Sequence, residues 1–118
     1  MIDDAKTCWN GRTTREDKPW GYELVWATIR GISGKILFMD KGKSTSLKYY
    51  LHKNEVLLVR RGRVRVQWAD ENYHDKDYPS DIQVNNLKEG DVFCIQSHCP
   101  YRITALEDSE VFEIGDAH

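Results

Sequence analysis

Short runs of alternating apolar and polar residues, parted by turn residues, dominate this chain. No apolar stretch keeps a helical period beyond two turns, whereas period-two alternation recurs at intervals of about ten residues. The pattern predicts strands over 20–29, 34–41, 45–51, 55–61, 63–69, 82–87, 92–96, 101–106 and 109–115. Gly62, inside the run Arg60-Arg61-Gly62-Arg63, marks a tight hairpin, and Gly90 a second turn. Residues 70–81 are polar and turn-rich, as suits a surface excursion between strands. Many short strands without helices predict an all-β sandwich or small barrel.

Several strands are apolar on both faces. In 46–52, Lys48, Tyr50 and His52 share one face and Leu47, Tyr49 and Leu51 the other. In 55–61, Glu55, Leu57 and Val59 oppose Val56 and Leu58. A double-layered barrel accounts for this, one face lining the interior and the other meeting a second sheet or a subunit. It also turns Lys48 and Glu55 inward, where charges are costly unless paired. The alternative is that this face looks to solvent.

Length and composition narrow the rest. The 118 residues suit one domain with one core. Residues 1–17, polar and without periodicity, read as an N-terminal arm, and 18–118 as the folded unit. Net charge is −2 with basic residues dispersed, which argues against nucleic acid or an anionic membrane as partner. Arg60, Arg61, Arg63 and Arg65 read as a solvated edge. The three cysteines, Cys8, Cys94 and Cys99, contain no Cys-x-x-Cys pair and suggest no disulfide framework. Cys94, in an apolar run, is expected in the core, and Cys99 in a loop. No segment of 1–17 suits a signal peptide and no stretch suits a membrane span, so the expected setting is soluble, reducing and cytoplasmic.

Spacing carries the remaining information. Gly42, Lys48, Tyr50, Glu55 and Gly62 stand at the intervals of a Gly, five residues, His-x-His, four residues, Glu, six residues, Gly. Gly90, Gln96, His98, Tyr101 and Ala105 stand at the intervals of a Gly, five residues, Pro-x-Gly, two residues, His, three residues, Asn. These are the two motifs of the cupins, which the chain resembles. Within them it looks most like the type II mannose-6-phosphate isomerase domain, through Lys18-Pro-Trp-Gly-Tyr-Glu23 and the segment Ser46 to Glu55. The resemblance covers about residues 18–114. It implies a single-domain double-stranded β-helix, the cupin jelly-roll barrel, and a homodimer in which N-terminal strands are exchanged. Trp9, Trp20, Tyr22 and Trp26 would serve that exchange or fill the monomer core.

The resemblance also implies a metal, but the ligand positions hold Lys48, Tyr50, Glu55 and Tyr101. Only Glu55 is a good divalent-metal ligand. Lysine is cationic, and a phenol is a poor donor below its pKa of about 10. The expectation is therefore a metal-poor pocket, Lys48 taking the place of the ion, held by Glu55, with Tyr50 and Tyr101 completing the hydrogen bonds. Such a pocket suits a carbohydrate, a sugar phosphate or another small polar metabolite. One alternative is a divalent ion (Zn, Mn, Fe or Ni) on His52, Glu55 and His98. Another is an aldose–ketose sugar-phosphate isomerase with Lys48 as electrophile and Glu55 or His52 as base. A third is a structural or regulatory dimer without catalysis.

Overall fold

The computed structural model describes residues 6–116. Nine strands form there: β1 (Thr14–Lys18), β2 (Gly21–Ala27), β3 (Ser33–Met39), β4 (Glu55–Arg61), β5 (Arg63–Trp68), β6 (Gln83–Lys88), β7 (Val92–Ile95), β8 (Tyr101–Ala105) and β9 (Ser109–Gly115). Six make one sheet in the order β1-β2-β3-β9-β4-β7, and three make a second in the order β6-β5-β8. Every pairing is antiparallel. The one short helical element among the described residues is a 3₁₀ turn, Glu71–His74, inside the expected surface excursion. Among the described residues no helix is long and apolar enough to cross a membrane.

The alternation read from the sequence sets the core. Leu37, Met39, Leu57, Val59 and Val111 point from the larger sheet onto Val64, Val66, Leu87, Ile103 and Ala105 of the smaller. Gly62 sits where β4 leaves one sheet and β5 enters the other. Its φ of 83° lies in the left-handed region, and a Cβ there would collide with Ser109, so only glycine fits both the turn and the packing. The Lys18-Pro19-Trp20-Gly21 turn closes the β1–β2 hairpin and drops Trp20 into the core.

Three expectations need correction. The strand expected over 45–51 does not form. That stretch meets β8 through isolated bridges at Ser44–Thr104 and Lys48–Tyr101 and through the Thr45 hydroxyl, which accepts from the Ile103 N–H, rather than through a continuous ladder, and Tyr49, Leu51 and His52 are exposed. The arm's last residues are strand, not irregular chain: Thr14–Lys18 pair with β2 as an edge. Cys94 is exposed, since β7 buries Ile95 and turns Cys94 to the outside. Residues 1–5 of the expected arm, and His118, lie outside the described residues.

Candidate functional site

A diagonal of ionisable side chains crosses four neighbouring strands on the inner face of the larger sheet. Glu23 comes from β2, Lys35 from β3, Glu113 from β9 and Glu55 from β4. The register fixes the diagonal: Lys35 lies directly opposite Glu113, while Glu23 pairs with Leu37 and Glu113 with Leu57, each one inward position from the next charge. Glu23, Glu55 and Glu113 are 3%, 2% and 5% exposed. Three buried carboxyls in a domain this size demand compensation.

At one end, Glu23 is held by Lys35 at 3.2 Å and Lys18 at 3.7 Å, and Lys18 also reaches Glu16 at 3.2 Å. Burial works against the charge of Lys35, but the attraction and hydrogen bond of Glu23, with Glu113 adding, win and hold it above the usual lysine range. At the other end, the Tyr101 hydroxyl donates to Glu55 Oε1 at 2.6 Å, and Lys53 Nζ lies 3.3 Å from Oε2. The Lys53 contact is not aligned as a hydrogen bond, and Oε2, sealed from solvent, has no other ordinary donor. Glu113 resolves this. Burial, and then the adjacent Glu55, push its pKa up to about 8. It therefore keeps a proton near neutrality and offers it to Glu55 as a carboxyl-to-carboxylate hydrogen bond. Burial raises the pKa of Glu55 too, but the bonds from Glu113 and Tyr101 and the charges of Lys53 and Lys48 outweigh it and hold Glu55 below the usual range. Burial, followed by Glu113 and Glu55, raises Tyr101 far above an ordinary phenol, so it stays a donor.

In front of this diagonal opens a cavity of about 370 Å³. Its charged wall is Lys18, Glu23, Lys35, Lys48 and Glu113; Thr45, Ser46, Tyr50 and Tyr101 add hydroxyls. Lys48 reaches it because two backbone hydrogen bonds, Lys48 N to Tyr101 O and Tyr101 N to Lys48 O, clamp an otherwise irregular strand to β8. Its ammonium stands 5.7 Å from both the Tyr50 and Tyr101 ring centres. Among the described residues Lys48 has no carboxylate within 4 Å, whereas Lys35 and Lys53 each have one and Lys18 has two.

The structure thus brings Lys48, Tyr50 and Tyr101 to one cavity and sets Glu55 behind it, bonded to Tyr101. The partner that Glu55 takes is Lys53, not Lys48, because Lys53 is two residues away on the same segment and its stem runs inward over the Tyr50 ring, 4.8 Å from its centre. His52 is exposed and lines a separate groove with Tyr49, Tyr50 and Leu51. His98 has a backbone role: its φ is +72°, its N–H donates to Tyr50 O at 2.7 Å, and its carbonyl meets His74 Nε2 at 2.8 Å. It stands at the motif's glycine and keeps the left-handed conformation that a glycine would adopt freely. The sequence reading missed Glu23, Lys35 and Glu113. Their signal was present: Lys35, Glu113 and Glu23 all fall on inward phases of their strands.

A divalent ion does not fit this donor set. No three His, Cys, Asp or Glu side chains converge among the described residues. The one carboxylate of the ligand positions is already engaged by Tyr101 and Lys53, with the charge of Lys48 bearing on it. His52 and His98 do not join Glu55.

No family model and no curated protein matches the sequence. Solved structures do match by shape. KdgF from Halomonas sp. superposes with a TM-score of 0.73 at 18% identity, over 89% of this chain and 88% of that one. A cupin superfamily protein from Desulfitobacterium hafniense gives 0.66 at 16% identity, over 81% and 76%. Oxalate decarboxylase of Bacillus subtilis, a protein described with Mn(II) centres, gives 0.75 at 21% identity; the match covers 96% of this chain but 30% of that one. At such identities the likeness speaks to the fold alone, and the fold is that of the cupins: two antiparallel sheets closing on a polar interior cavity.

Proposed function

We propose that the protein is a binding module for a small polar anion, of the class of sugar phosphates, sugar acids or comparable metabolites, working without a resident metal. The single observation behind this reading is Lys48. It is the one lysine of the cavity without a carboxylate partner among the described residues, in a chamber of about 370 Å³ rich in hydroxyls. A half-buried cation beside neutral donors favours one anionic group, and the hydroxyls favour a polyol frame. Calorimetric titration with glucose 6-phosphate, glucuronate and glucose tests it, beside elemental analysis of the purified protein. Either anion should bind more tightly than glucose, and Lys48→Met should erase the difference. Equal binding of all three, or a stoichiometric transition metal, overturns the reading.

The same proposal includes a homodimer through the outer face of the larger sheet. Trp26, Val56, Val92 and Ile114 are each between 41% and 56% exposed there. Gly34 pairs with Ile114, Ile114 with Val56 and Val56 with Cys94, so the apolar positions are continuous across strands. Six strands at about 4.8 Å spacing and about 20 Å of length give roughly 600 Å² per subunit, near the lower bound for a stable pair. Sedimentation should give a dimer that Ile114→Glu converts to monomer.

A further inference from the structure

We infer that the chamber is the first of two subsites and that the ligand is a disaccharide-sized anion, its charged ring at Lys48 and its second, neutral sugar ring in the groove beside Tyr49 and Leu51. This deepens the binding reading above and rests on it, because Lys48 must first seat the anion.

The groove and the chamber share a wall. Tyr50 lines both, and its ring takes an ammonium from each: Lys48 of the chamber at 5.7 Å and Lys53 of the groove at 4.8 Å. Ser33 of the groove and Lys35 of the chamber fall on the same phase of β3, two residues and roughly 7 Å apart. The two spaces therefore adjoin along one strand. Their volumes are about 370 and about 550 Å³, so each alone has the size of a small-molecule site. A single hexose on Lys48 leaves the second space unused.

The lining of the groove selects its occupant. The chain bends at Leu51 and His52, which gathers Tyr49, Tyr50 and Leu51 round one groove although alternation along a strand would part them. Tyr49 and Leu51 are 47% and 56% exposed, and large apolar side chains left open beside a polar chamber mark a contact surface. Tyr49 is also braced. Its ring packs on His74 with centroids 4.4 Å apart; His74 meets Tyr73 edge-on at 5.7 Å, and its Nε2 lies 2.8 Å from the His98 carbonyl. The left-handed turn at His98 thus aims a carbonyl at the residue that holds Tyr49. A ring fixed beforehand loses little freedom when a ligand covers it. Tyrosine and leucine present apolar surface to the C–H face of a sugar, and His52 and the phenol hydroxyls present hydrogen-bonding groups to its rim. Lys53, the groove's ammonium, is already engaged by Glu55, so the second ring is neutral.

Calorimetry tests this on two matched pairs: glucose 6-phosphate against trehalose 6-phosphate, and glucuronate against cellobiuronate. At least one disaccharide anion should bind about 10-fold more tightly than its monosaccharide. Tyr49→Ala and Leu51→Asp should each cut that ratio to about 2-fold or less, and His74→Ala should lower it as well. All three positions are exposed, and the variants should keep the far-ultraviolet dichroism of the parent. 4-Nitrophenyl β-glucuronide puts an aryl ring in place of the second sugar and should gain less than cellobiuronate. No gain for either disaccharide, or a gain that survives both Tyr49→Ala and Leu51→Asp, overturns the second subsite and leaves the binding reading standing. An equal or larger gain for the aryl glucuronide overturns the assignment of the groove to a sugar. Absence of binding by every anion, monosaccharides included, removes both readings.

Discussion

Replacing Glu113 by glutamine should change how stability depends on pH, and the size of the change follows from the site. In the folded protein this carboxyl holds its proton to about pH 8; an unfolded glutamate releases it near 4.5. Between those values the folded state binds one proton more than the unfolded state, so stability falls as pH rises. The contribution is complete below 4.5 and is lost as pH passes through 8. One extra bound proton corresponds to about 1.4 kcal/mol per pH unit, so the ceiling across the window is about 5 kcal/mol. Glu55 has the opposite sign. Held below its usual range, it stabilises above 4.5 and loses that contribution on acidification. Glutamine at 113 still donates an N–H to Glu55 but cannot ionise. Urea denaturation followed by tryptophan fluorescence at pH 5.5, 6.5 and 7.5 measures the outcome. Across those two units the parent should lose about 2–3 kcal/mol relative to the variant, the histidines cancelling in the comparison. Parallel pH curves for the two proteins would refute the shared-proton account of Glu55 and Glu113.

Removing the Tyr101 hydroxyl leaves Glu55 Oε1 buried without its donor; Tyr101→Phe should cost about 1.5–3 kcal/mol in urea unfolding, and a combined Tyr101→Phe, Glu55→Gln variant should cost less than the sum of the singles. Gly62→Ala and Gly90→Ala share a positive φ, but a Cβ at 62 meets Ser109 and one at 90 meets open space. The first should lower the unfolding free energy by about 2–4 kcal/mol and the second by about 1, so equal losses would sink the packing argument. His98 occupies a left-handed conformation, so His98→Gly should be about 1 kcal/mol more stable than His98→Ala by thermal denaturation.

The architecture was legible because a strand states its orientation every second residue. The runs now forming β2 to β9 were read within a few residues of their observed bounds, and Gly62 and Gly90 were read as turns because positive φ selects glycine. The misreadings share a cause. Residues 45–51 have strand propensity, but their ladder is limited to isolated bridges, and no local pattern reports how many backbone partners a segment will find. Thr14–Lys18 has the opposite character, a polar stretch recruited to the sheet edge by β2, with Arg15 stacked 3.8 Å over the Tyr22 ring. Cys94 looked internal because β7 is apolar on both faces, and composition cannot say which apolar face meets a core.

The site was legible only where the spacing of the two motifs carried it. Lys48, Tyr50, Glu55 and Tyr101 fall at fixed intervals, and three of them do line one cavity. Glu23, Lys35 and Glu113 lie on three other strands, and a diagonal exists only once register is fixed; shifting β9 by one residue would turn Glu113 to the outer face. The expected ion pair was the right kind of interaction with the wrong lysine. A buried glutamate needs positive charge and donors, and sequence alone offered Lys48 because the motif aligned it with a metal ligand. In the folded chain Lys53, a phenol and a carboxylic acid meet that need, which releases Lys48 to face the cavity. The charge balance that a metal would otherwise set is therefore divided: Lys53, Tyr101 and Glu113 stabilise the carboxylate, and Lys48 remains as the cation that a ligand would meet.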